Sequence, residues 1–173
     1  MRPAGLPERA FVLLGSNLDP ESNLPRAVAG LARLGQIRRV SRVYQSSPVA
    51  RPDQPDFLNA AVLLETEHDP PALQRALRRL ESELGRVRGR DKHEARTIDL
   101  DLCLFGSRIE SGSVTLPDPD LLEHAYTAAP IAELDPDFRH PVTGEPMGDI
   151  ARRLRKGADL TRRDDIHLPG ETA

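Results

Sequence analysis

One stretch constrains the fold more than any other: Ile98-Asp99-Leu100-Asp101-Leu102-Cys103-Leu104-Phe105, where apolar residues alternate with a second set. In an extended strand, successive side chains point to opposite sides. Ile98, Leu100, Leu102 and Leu104 are therefore expected on one face, and Asp99, Asp101, Cys103 and Phe105 on the other. A polar face turned to water is the plain explanation of such a pattern. Cys103 and Phe105 speak against it, because they imply that this face is partly covered. Two carboxylates under cover, with Cα atoms roughly 6.5–7 Å apart at about 3.3–3.4 Å per residue, repel each other and require compensation. A hard divalent cation supplies it, and Mg²⁺ takes one or two carboxylates together with substrate phosphates. Asp99 and Asp101 are thus candidate metal ligands.

Immediately upstream, Arg86, Arg88, Arg90, Lys92 and Arg96 stand against only Asp91 and Glu94. An isolated run of this kind is usually a solvated loop. Here it lies between a helix end and the Asp pair. Guanidinium forks match phosphate oxygens, and cations for phosphate beside carboxylates for Mg²⁺ are the parts of a phosphoryl-transfer site. Gly15-Ser16-Asn17 is not followed by Gly-Lys-Ser/Thr, and no Gly-x-Gly-x-x-Gly occurs. A nucleotide would then be held by side chains and metal rather than by a glycine-rich cradle. The length of the polar loop suits closure over a substrate.

The rest of the chain frames this segment. Ala10 to Leu14 reads as a buried strand ended by Gly15, and Asp19-Pro20 as a helix start with Leu24, Val28 and Leu31 at helical spacing. Ile37 to Gln45 alternates as one strand. Three prolines make Ser46 to Asp56 a loop, and Phe57 to Thr66 is a strand. Asp69-Pro70 opens a helix with a stripe of Leu73, Leu77, Leu80 and Leu84, closed by Gly85. Ser107 to Leu116 is expected to add a hairpin of two short strands, and Tyr126–Leu134 and Met147–Lys156 to be helices. The order lacks a regular βαβ rhythm. The expected class is α+β, a mostly antiparallel sheet with helices packed on both faces. The expected boundaries are an N-terminal extension at 1–9, one domain at 10–156 and a peripheral tail at 157–173.

Composition removes other classes. A chain of 173 residues suits a single core. The single cysteine, Cys103, excludes a disulfide framework and a cysteine metal cluster within the chain. No apolar run approaches the ~18–20 residues of a membrane helix, and Met1 to Pro7 lacks the apolar core of a secretory signal. The expected location is the cytoplasm. The net charge of −3 argues against a nucleic-acid partner. His68, His93, His124, His140 and His167 show no ligand spacing, and surface or capping roles fit His68, His140 and His167.

Several pieces together are similar to the 6-hydroxymethyl-7,8-dihydropterin pyrophosphokinases of folate biosynthesis. They are Leu14-Gly15-Ser16-Asn17-Leu18, Tyr44-Gln45-Ser46-Ser47-Pro48-Val49, Asp53-Gln54-Pro55-Asp56-Phe57-Leu58-Asn59-Ala60-Ala61, Glu81 to Arg88, and Arg96-Thr97-Ile98-Asp99-Leu100-Asp101 through Gly106. The resemblance runs from about residue 10 to residue 150. It implies a ferredoxin-like core and a reaction that moves the β,γ-pyrophosphoryl group of ATP to the hydroxymethyl oxygen of the pterin, with AMP as second product. It implies two Mg²⁺ ions on Asp99 and Asp101, with Arg86 and Arg96 binding phosphates as catalytic residues. Glu81, Arg88 and Thr115 fall at nucleotide positions. Phe57 and Tyr126 fall at the pterin sandwich, with Asn59, Ser46 and Val49 reading the pterin edge. The partners implied are ATP and a reduced pterin, bound by a monomer.

The chain departs from the family pattern at Asp118, where a His is usual, at His124 and Lys92 for Arg, and at His93 for Trp. These changes motivate one rival, a non-catalytic pterin- or nucleotide-binding relative. The arginine loop motivates another, an α+β RNA-binding module, which net acidity and only six aromatic residues disfavour.

Overall fold

The computed structural model describes residues 5–49, 52–87, 89 and 95–171. Its centre is a pair of long antiparallel strands, β1 (Glu8–Ser16) and β4 (Phe57–Thr66), in register from Glu8 opposite Thr66 to Ser16 opposite Leu58. Both strands carry continuous apolar runs, as a strand covered on both faces must. β5 (Asp99–Phe105) joins the free edge of β1. β2 (Gln36–Val40) and β3 (Tyr44–Ser46) share the other edge of β4. The strand order β5-β1-β4-β3 and the connections β1-α1-β2/β3-β4-α2-β5 are those of a ferredoxin-like core.

Helices cover both faces. α1 (Pro20–Leu31) and α2 (Pro70–Glu83) bury Leu24, Leu31, Leu73 and Leu77 against Val12, Leu14, Val62 and Leu100. α3 (Ala125–Leu134) and α4 (Met147–Arg155) bury Ile131, Leu134, Met147 and Ile150 against Phe11, Leu13, Ala61 and Leu63. α2 starts as its sequence dictates, with the Asp69 carboxylate accepting from the Ala72 N–H at 2.8 Å. Gly85, at φ +95, follows its end. At the start of α1 Asp19 takes the cap position at φ 46, but its side chain makes no capping bond. The two helices approach closely at Gly30, where a Cβ would come within 2.4 Å of Leu80 Cδ1.

Four expectations change. The single strand at Ile37–Gln45 is two strands, because the chain breaks at 41–43 and the Ser41 hydroxyl accepts from the Ala61 N–H at 2.8 Å in place of a backbone partner. The β1–β5 register shifts so that Phe11 faces Leu104 and Val12 faces Leu102, leaving Cys103 unopposed. That bulge sends Leu104 to the α3/α4 side with Cys103 and returns Phe105 to the α1/α2 side, the reverse of simple alternation. The hairpin at Ser107–Leu116 reduces to one bridge between Glu110 and Leu116. The tail after Gly157 does lie at an edge, but as part of the sheet: β6 (Leu160–Arg162) pairs with β3, and Leu168 is buried. Among the described residues no helix is long and apolar enough to cross a membrane.

Candidate active site

β5 presents Asp99 and Asp101 on the α3/α4 side, where they open into a cavity of about 290 Å³. Around them stand Arg96, Asp118, Asp120 and Tyr126, with Gly15 of β1 and Phe57 and Asn59 of β4 opposite. Ser46, Pro48 and Val49 close the rim. The cavity therefore combines carboxylates with aromatic side chains.

The two carboxylates differ. Asp99 is clamped: Arg86 Nη1 donates to Oδ1, and Arg96 Nη1 donates to Oδ2 at 2.5 Å. Asp101 has no side-chain hydrogen bond among the described residues. Burial pushes its carboxyl well above the usual range, and Asp99, Asp118 and Glu81 add like charge. Asp118 is raised by burial, against the Asp120 N–H that its Oδ1 accepts at 2.9 Å. Burial, then Asp120, Asp118 and Asp101, push the Tyr126 phenol up to about 12. Four aspartates and one arginine line the cavity. Oxygen donors in such excess, one of them holding its proton strongly, fit a hard divalent cation that would displace that proton.

The support behind the site was less legible. Glu81 is 2% exposed and does not line the cavity. Its Oε1 accepts the Leu100 N–H at 2.8 Å, on the open edge of β5, and lies 3.6 Å from Arg86 Nη1. Arg86 also donates to the Ile98 carbonyl at 3.2 Å and sits behind Asp99 rather than in the cavity wall. Asn17 ties three segments together. Its Oδ1 accepts the Arg96 N–H at 2.6 Å, and its Nδ2 donates to Gln54 Oε1 at 3.2 Å and to the Pro55 carbonyl at 3.3 Å. Ser16 adds a bond from Oγ to the Thr97 carbonyl at 2.6 Å. The strand-ending Gly15-Ser16-Asn17 marked the place, but nothing in it named the segments it would hold.

Asn59 is buried and donates to the Tyr44 carbonyl at 3.2 Å and to Ser46 Oγ at 2.9 Å. Its Oδ1 faces Gly15, 3.6 Å from where a Cβ would stand. Tyr126 stacks on His124, with ring centroids 4.9 Å apart and planes at 12°. Val49 is 74% exposed at the rim. Thr115 is exposed and does not line the cavity. Arg88 lies outside the described residues, as do Lys92 and His93. His140 caps a turn, its Nδ1 accepting the Val142 N–H at 3.2 Å. Two lining features escaped the sequence reading: Asp120, and Thr127, whose Oγ1 is buried with no hydrogen-bond partner among the described residues.

Known proteins resemble the chain in sequence and in fold. The profile of the family described as 7,8-dihydro-6-hydroxymethylpterin-pyrophosphokinase (HPPK) matches residues 11–136. The 2-amino-4-hydroxy-6-hydroxymethyldihydropteridine pyrophosphokinase of Synechocystis sp. is 35% identical over 159 residues, covering 88% of this chain and 80% of that protein. The Haemophilus influenzae protein of the same name is 38% identical over 136 residues, 76% of this chain and 84% of its own length. In fold, the chain matches the Plasmodium falciparum HPPK-DHPS crystallised with pteroate at a TM-score of 0.70 and 11% identity. That match covers 93% of this chain and 47% of the Plasmodium chain.

Proposed function

The chain belongs to the 7,8-dihydro-6-hydroxymethylpterin-pyrophosphokinase family, and from that premise we infer how its own residues serve the reaction. It transfers pyrophosphate from ATP to the hydroxymethyl group of 6-hydroxymethyl-7,8-dihydropterin in folate biosynthesis. The hydroxymethyl oxygen forms a bond to the β-phosphorus, the bond from that phosphorus to the α,β-bridging oxygen breaks, and AMP leaves. The hydroxyl proton goes to solvent, and no protein base is assigned.

Positioning and charge neutralisation carry most of such a reaction. Asp99 and Asp101 would hold Mg²⁺, two ions in this reading, which neutralises triphosphate charge. Arg96 reaches from Asp99 into the cavity and would bind phosphate oxygens. Arg86 would keep Asp99 aimed. Phe57 and Tyr126 would stack the flat pterin. Ser46, Val49 and Asn59 would read its polar edge, and Arg88 and Thr115 would meet the nucleotide. Glu81 would act from behind, by fixing Leu100 and Arg86.

The observation that carries this reading is the Asp99–Asp101 pair on one strand face, opening into a cavity that Phe57, Asn59 and Tyr126 also line. The working unit is read as a monomer in the cytoplasm, where a chain with a single cysteine and hence no internal disulfide fits. Light scattering tests the first point. The activity test is to incubate the protein with ATP, Mg²⁺ and the dihydropterin and to identify the nucleotide released. AMP formed only when pterin is present is the expected result. ADP, or binding without AMP, overturns it. Asp99→Ala and Asp101→Ala are each expected to abolish turnover with the fold retained.

A further inference from the structure

A second concavity lies further along α3, away from the carboxylates. It has a volume of about 700 Å³ and is walled by β2, β3, α3, α4 and β6. Small residues make room for it: Ala129 and Ala132 on α3, and Gly148 and Ala151 on α4. Five guanidinium groups line it, those of Arg39, Arg42, Arg152, Arg155 and Arg162, against one carboxylate, Glu133. Glu133 is already engaged, accepting the Arg42 backbone N–H at 3.0 Å and the Tyr44 hydroxyl at 2.6 Å.

The arginines are weakly committed. Arg39 and Arg155 pair with no carboxylate among the described residues, and Arg155 lies over the Tyr44 ring at 5.5 Å. Arg152 meets Asp149 at 2.7 Å and Arg162 meets Asp164 at 2.8 Å, both pairs exposed. Arg42 lies 3.7 Å from Asp164 and 3.6 Å from Glu171. The exposed Arg152–Asp149 and Arg162–Asp164 pairs contribute little, and a guanidinium has five N–H donors to offer. The whole chain carries a net charge of −3, so this is a local concentration of positive charge and not a general coat.

We propose that this groove binds a small polyphosphate-bearing molecule of nucleotide size, at a site separate from the catalytic cavity. Guanidinium forks recognise phosphate oxygens in pairs, and the volume lies in the range of small-molecule sites. The alanine floor offers apolar surface for the rest of the ligand. An occupant would bear on the catalytic cavity through shared elements. α3 supplies Tyr126 at its other end, and the Tyr44 carbonyl holds Asn59.

The test is a titration of the full ¹⁵N-labelled chain with inorganic triphosphate and then ATP, in EDTA, followed by amide shifts. Saturable shifts at Gly148 and Ala151 are expected. An Arg39→Gln/Arg155→Gln double variant should bind about 10-fold or more weakly, a loss of about 1.4 kcal/mol or more. Its turnover at saturating substrates should be unchanged. Shifts confined to the residues around Arg96 and Asp99 overturn the proposal, as does wild-type binding by the double variant. Equal shifts with sulfate at matched ionic strength, or tighter binding of a nucleic-acid oligomer, also overturn it. The readout is positional, so it stands or falls independently of pyrophosphate transfer.

Discussion

Arg96 and Asp99 are joined side chain to side chain, Nη1 to Oδ2 at 2.5 Å, whereas Asp101, two residues along the same strand face, makes no ion pair among the described residues. The pair is therefore electrostatically unequal before any substrate binds. Asp99 is held between two guanidinium groups, those of Arg86 and Arg96. Burial first, and then like charge from Asp99, Asp118 and Glu81, pushes the Asp101 carboxyl above the usual range.

The first prediction concerns pH. The Asp101 carboxyl is raised in the folded chain, chiefly by burial. The folded state then binds its proton more tightly than the unfolded state does. That stabilisation is complete below the ordinary carboxylate pKa of about 3.9 and is lost as pH rises through the raised value. In EDTA, Asp101→Asn should melt at a higher temperature than wild type, with a gap that widens from acid to neutral pH. Mg²⁺ should raise the melting temperature of wild type and not of the variant. A gap that stays flat with pH removes the inequality between the two aspartates.

Glu81 acts structurally in the second prediction. Its Oε1 is the acceptor for the Leu100 N–H at 2.8 Å on the open edge of β5. Glu81→Ala should cost about 1–3 kcal/mol, the penalty for leaving a buried donor unpaired. Glu81→Gln keeps an acceptor and should cost less. Urea unfolding measures both, and equal stability of Glu81→Ala and wild type would refute the role.

Asn17 should matter for rate more than for fold. It anchors Arg96 through the backbone at 2.6 Å and reaches Gln54 at 3.2 Å. Small misplacements of such groups cost up to about 100-fold. Asn17→Ala should lower kcat/KM about 10- to 100-fold while far-UV circular dichroism stays unchanged. An undiminished kcat/KM argues that Arg96 is positioned by other contacts.

Thr127 carries the fourth prediction. Its hydroxyl oxygen is buried with no hydrogen-bond partner among the described residues, which is a cost to the fold. Thr127→Val keeps the shape and removes the cost, so the melting temperature should hold or rise. A fall of several degrees would mean that the hydroxyl is hydrogen-bonded in solution.

Local periodicity carried a large part of this protein. Leu73, Leu77 and Leu80 at helical spacing behind Asp69-Pro70 announce α2, and the apolar runs Ala10–Leu14 and Ala60–Leu64 announce the two central strands. The placement of Asp99 and Asp101 on one strand face needs only the two-residue period of an extended chain. These are short-range properties, set by backbone geometry and by which side chains seek water. Tertiary structure decided what depends on distant partners. Pairing with β1 introduced the bulge at Cys103, and alternation along β5 cannot show a register imposed by another strand. The β3 edge drew Leu160–Arg162 into the sheet, although nothing periodic marks those residues. Asn17 became the anchor of Arg96, and Glu81 the partner of Leu100, because the fold brings positions 79 and 19 residues apart into hydrogen-bond contact. The inequality of the aspartates also belongs to that level. It follows from burial and from neighbours on other elements, and identical side chains in a written sequence carry no trace of it.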